Sequence, residues 1–81
     1  MKLDELKIKL NEALKAKEMF VDSIEYKKKG KYYFLEVTID KVGGVDLDGI
    51  VEATNIINPI VDNENITNDS YILDVSSKER G

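Results

Sequence analysis

Apolar residues first recur along this chain at intervals of three and four: Leu3, Leu6, Leu10, Ala13 and Leu14, with lysine and glutamate between them. That spacing predicts one amphipathic helix over residues 2–17, its apolar stripe turned to a core. Asp4 and Glu5 fall in its first turn and Lys15 and Lys17 in its last, the order a helix dipole favours. From Phe20 the period shortens to two. Val21, Ser23 and Glu25 alternate with Asp22, Ile24 and Tyr26, which predicts a strand over residues 21–27. Lys27-Lys28-Lys29-Gly30-Lys31 is then a polar turn, with Gly30 able to take positive φ.

The second strand has the strongest alternation. Tyr33, Leu35, Val37 and Ile39 point one way, and Tyr32, Phe34, Glu36, Thr38 and Asp40 the other. A short connection makes strands one and two an antiparallel hairpin. Gly43-Gly44 stops strand two, and Asp46 is placed to cap a second helix with Asp48 in its first turn. Ile50, Ala53, Ile57 and then Ile60 or Val61 keep the helical period across Pro59. An interior proline costs about 3 kcal/mol, so the helix either ends near Asn58 or kinks and continues, and the persisting period favours the kink. Residues 62–70 are a polar loop, Tyr71, Leu73 and Val75 mark a third strand, and residues 78–81 are expected to fray.

The predicted class is α+β: a two-layer α-β-β-α-β arrangement, two helices packed on one face of a three-stranded sheet. Strand three has two allowed places, beside strand one and antiparallel to it, or beside strand two and parallel to it. If the helices cover the Tyr33 face, Tyr32, Phe34 and Ile72 form an apolar patch on the open face. Such a patch is a candidate for docking a partner or a further domain.

Composition narrows the chemistry. Eighty-one residues make one domain, near the lower limit for unaided folding. The chain has no cysteine and no histidine, which removes disulfides, thiolate zinc sites and the usual general base. Asp46-x-Asp48-Gly49 matches only a fragment of a calcium loop, and helix capping accounts for both carboxylates. No catalytic, cofactor or metal site is expected, and the domain is expected to be a binder rather than an enzyme. Twelve Lys and Arg against sixteen Asp and Glu give a net charge of −4, which suits a basic protein partner better than a broad phosphate surface. The one concentrated positive site is Lys27, Lys28, Lys29 and Lys31, either an ordinary solvated hairpin tip or a phosphate-contacting finger helped by Tyr32 or Tyr33. The first helix is charged and is not a signal peptide, and no apolar run is long enough for a bilayer; a cytoplasmic monomer is expected.

Three segments carry a family resemblance. Val37-Thr38-Ile39-Asp40, then Gly43-Gly44-Val45-Asp46-Leu47-Asp48, and finally Tyr71-Ile72-Leu73-Asp74-Val75-Ser76-Ser77 occur in the order and spacing of the N-terminal domain of the RimP ribosome maturation factors. The agreement runs along residues 3–77. The resemblance implies a non-catalytic role in maturing the small ribosomal subunit, by binding the free 30S particle near its decoding region, in contact with 16S rRNA and a basic ribosomal protein. Two departures accompany it. Lys78-Glu79-Arg80-Gly81 stands where the family usually has Pro-Gly, and the SH3-like β domain that normally follows is absent from this sequence. The chain is therefore expected to be a single RimP N-terminal-like domain over residues 1–81, excised or naturally short. A stand-alone KH-like RNA-binding domain shares the α-β-β-α-β order, but its GxxG loop does not occur here. A partner-binding or dimerising module using the open sheet face is the reading from another class.

Overall fold

The computed structural model describes residues 3–78. Lys2 at the expected helix start and residues 79–81 of the expected frayed end lie outside the described residues. The elements are α1 (Leu3–Leu14), a 3-10 turn (Lys15–Lys17), β1 (Met19–Lys29), β2 (Tyr32–Lys41), α2 (Leu47–Glu64) and β3 (Tyr71–Ser77). The α+β class and the packing of both helices on one sheet face are as the sequence predicts.

Helix α1 is shorter than its apolar period implies. Its regular part stops at Leu14, the chain tightens into the 3-10 turn that holds Lys15 and Lys17, and Glu18 turns it in the left-handed region at φ 59°. Leu6, Leu10 and Leu14 are buried at intervals of four, the inner side of the stripe.

Strand β1 is longer at both ends than expected, and its faces are not those of simple alternation. A bulge between Val21 and Ser23 shifts the register, so Met19 and Val21 face the core before it and Ile24 and Tyr26 after it. Ser23 and Glu25, predicted to share a face with Val21, lie on the opposite one. The turn contracts correspondingly. Lys29 pairs directly with Tyr32, leaving Gly30 and Lys31 as a two-residue loop, and Gly30 alone of the two has positive φ, at 62°.

Strand order is β1-β2-β3, with β3 parallel to β2, which selects the second of the two placements. Central β2 carries the core, since Leu35, Val37 and Ile39 are fully buried beneath Leu6, Leu10, Leu14, Ala53, Ile57 and Val61. Each such side chain contributes about 1.5–3 kcal/mol by burial. Asp40 is the one buried charged residue among those described; its Oδ1 accepts from the Lys41 N–H at 2.8 Å.

Helix α2 begins where the sequence places it, with the Asp46 carboxylate accepting from the Gly49 N–H at 2.8 Å. It continues through Pro59 to Glu64, so the proline does not end it. The carbonyl that Pro59 leaves without its helical donor belongs to Asn55, an exposed residue on the solvent side of the helix. Ala53, Ile57 and Val61 keep the buried side intact on both sides of the proline. Lys9 pairs with Glu64, tying α1 to the end of α2.

Candidate functional site

The hairpin brings the predicted site residues to one end of the sheet but divides them between its faces. The long β1–β2 register sets open-face rows across the sheet: Lys29 beside Tyr32, then Lys27–Phe34–Ile72, Glu25–Glu36–Asp74, and Ser23–Thr38–Ser76. Lys28 falls on the helix-side face with Tyr33, and Lys31 sits in the loop itself.

On the open face, Tyr32 is 61% exposed and Ile72 45% exposed, with Phe34 between them partly covered. The helices therefore leave these three uncovered, as the parity of strand two requires. Lys31, Tyr32, Tyr33, Ser70, Tyr71 and Ile72 line a shallow recess where the hairpin meets the start of β3.

The lysines do not form one uniform positive patch. Lys27 lies 2.7 Å from Glu25 and 3.3 Å from Glu36, and Lys29 lies 2.8 Å from Glu36. The carboxylate row explains these contacts. Like charges directly opposite across strands destabilise a sheet, and Lys27 from the next row and Lys29 from the row beyond it offset Glu25 and Glu36. Lys29 Nζ also lies 5.6 Å from the Phe34 ring centroid. Lys28, 5.5 Å from the Tyr33 ring, and Lys31 have no carboxylate partner among the described residues. Of four candidate cations, two are thus committed to the domain's own sheet.

These ion pairs have a direction in pH. The Lys29 hydrogen bond first, with Lys27 beyond it, holds Glu36 below its ordinary 4.5. Glu25 first, then Glu36, hold Lys27 above its ordinary 10.5. The depressed carboxylate contributes stability that is present above its unfolded pKa and lost as pH falls through the folded value. Melting temperature is therefore expected to fall on acidification below about pH 4.5, and Glu36→Gln should flatten that limb. A thermal-denaturation series in which wild type and variant lose stability in parallel between pH 5 and 3 would contradict this role for Glu36.

On the helix-side face the core is extended toward the tip by aromatic rings. Tyr26 stacks on Tyr33 with centroids 5.4 Å apart and meets Tyr71 edge-on at 6.3 Å. The Tyr26 hydroxyl is buried there with no hydrogen-bond partner among the described residues. Burial first, then the nearby charge of Asp62, pushes the Tyr71 hydroxyl above its ordinary 10.0. Tyr33 and Tyr71 are thus mainly packing residues, whereas Tyr32 is free to meet a partner.

Two features of the surface were not singled out by motif. Leu47 and Val51, one helical turn apart on α2, are 80% and 58% exposed, and Val42 before the glycine turn is 93% exposed. The i, i+4 spacing of Leu47 and Val51 away from the buried Ala53–Ile57–Val61 stripe is the sequence signal for the first pair. At the same end, Lys17 and Lys41 share a hollow with Asp46 and Glu52, and Lys17 lies 3.8 Å from Glu52. Those charges balance, so the hollow has no anion-binding bias.

Among the described residues, no three carboxylates converge in a cluster that could hold a metal ion. No described helix is long and apolar enough to cross a membrane. What the geometry offers chemically is contact: an aromatic and aliphatic patch on the open face, Lys31 in the loop beside it, Lys28 on the other face of the hairpin end, and an acidic row behind the patch. Residues 9–78 match the family model described as the RimP N-terminal domain.

Proposed function

Because the chain belongs to the RimP N-terminal domain family, and so is a ribosome maturation factor domain, we propose that it binds the free 30S subunit during assembly of the small subunit, in the cytoplasm and without catalysing a reaction. The family match over residues 9–78 carries this reading. The surface gives it a form. Lys31 in the loop and Lys28 on the helix-side face contact 16S rRNA phosphates around the hairpin end, with Tyr32 beside Lys31 as a stacking surface on the open face. Lys27 and Lys29 contribute less, because leaving Glu25 and Glu36 would restore repulsion within the sheet. The net charge of −4 makes a broad rRNA footprint unfavourable and favours a basic ribosomal protein as the second contact.

Sedimentation of the domain with purified 30S, 50S and 70S particles tests the reading, and association confined to free 30S is expected. Equal association with 50S, or none with 30S at physiological salt, would remove it. Lys28→Gln with Lys31→Gln should weaken 30S association and flatten its dependence on salt. Each lost phosphate contact lowers the log–log slope by about 0.7–0.9. A double variant with an unchanged slope would move the rRNA contact away from the hairpin.

A further inference from the structure

We infer that the free edge of β3 is a docking strand for an extended peptide that carries a basic residue between apolar ones. The hydrogen bond from the Lys78 N–H to the Ile39 carbonyl, 2.9 Å, sets the phase of the parallel ladder. With that phase, the even-numbered residues of β3 turn their N–H and C=O groups to β2. Tyr71, Leu73, Val75 and Ser77 turn theirs outward, where no described residue meets them.

The opposite edge of the sheet is closed by several devices. Strand β1 has a bulge at Val21/Ser23, Asn11 Oδ1 accepts from the outward Val21 N–H at 2.7 Å, and three consecutive lysines guard its tip. Strand β3 has no bulge, proline or lysine over Tyr71–Ser77. Its Tyr71, Leu73 and Val75 side chains are only partly buried on the helix side, so an added strand would complete their cover.

Charge selects the occupant. The Glu25–Glu36–Asp74 row ends at this edge, and the lysines that offset Glu25 and Glu36 do not reach Asp74. Asp74 is exposed and has no ion-pair partner among the described residues. An added strand with lysine or arginine opposite Asp74 would extend the row with the complementary sign. A second copy of this chain fits worse, because each copy carries −4 and brings its own Asp74 to the join.

The probe is a seven-residue capped peptide alternating valine and threonine with one central lysine, compared with its glutamate-centred counterpart. Amide hydrogen exchange and chemical shifts are read residue by residue on the isotopically labelled domain. The lysine peptide is expected to slow exchange at Tyr71, Leu73, Val75 and Ser77, and to bind about five-fold more tightly than the glutamate peptide, the size a good cross-strand charge pair carries. Asp74→Lys, at an exposed position, should reverse that preference. Unchanged amides at millimolar peptide would overturn the inference, as would protection that grows with protein concentration alone. Protection of the same four amides by a single-stranded RNA oligomer but not by the peptide would overturn it too.

Discussion

Leu35→Ala is expected to destabilise the domain by about 2–5 kcal/mol, the range for emptying a fully packed aliphatic site. Leu35 is fully buried in the central strand, flanked in register by Tyr26 on β1 and Leu73 on β3. It has sheet on both sides and helices above, so no neighbour can settle into the space without leaving its own. Domains of this length hold roughly 4–12 kcal/mol in total, from 0.05–0.15 kcal/mol per residue. The single substitution therefore removes a large share, and a domain at the low end of that range would be substantially unfolded at room temperature. Urea denaturation monitored by circular dichroism reads the effect as a fall in midpoint with little change in slope. Ile72→Ala is the control, because Ile72 is nearly half exposed on the other face and should cost under about 1 kcal/mol. Equal losses for the two variants would mean that the open face is covered in solution.

The second large effect is expected at the turn between β2 and α2. Gly43 and Gly44 have φ of 87° and 92°, and a Cβ built on either meets no atom within 4 Å. The demand for glycine is therefore one of backbone conformation alone, with no crowding. Gly43→Ala with Gly44→Ala should cost about 2–4 kcal/mol, at 1–2 kcal/mol for each left-handed residue. The Gly44 N–H donates to the Lys41 carbonyl at 2.8 Å, so the turn cannot relax without giving up that bond. The chain is short enough for chemical synthesis, which allows a decisive comparison: D-alanine at both positions should restore stability, since its preferred φ is positive. Destabilisation by D-alanine equal to that by L-alanine would show that space, and not backbone conformation, requires glycine there.

Much of this fold is legible in the sequence because its signals are local. The Leu6–Leu10–Leu14 stripe, the alternation of β2 and the Asp46 cap each depend on residues within one turn or one strand, and all three stand in the structure. The faces of β1 were less accessible. Met19 and Val21 are odd-numbered and apolar, while Ile24 and Tyr26 are even-numbered, and that change of parity is the bulge written in the sequence. Ser23 and Asp22 between them fit either register, so alternation alone could not place the extra residue. Strand order also lay beyond local signals, because both placements of β3 bury Leu73 and Val75 equally well. The open-face patch at Tyr32, Phe34 and Ile72 followed from parity, but the character of the lysine tip did not. Glu25 and Glu36 meet Lys27 and Lys29 only through the cross-strand register, and that register halves the number of available cations.

The parallel placement of β3 also orders events in time. Strands β1 and β2 are joined by two residues, so their pairing closes a minimal loop, whereas β3 reaches β2 only after the whole of α2 and its flanking loops have been spanned. The entropy of that longer closure must be met before Tyr33–Tyr71 through Ile39–Ser77 can pair. The hairpin is thus the part of the sheet with the smaller closure cost, and β3 is expected to dock on it afterwards.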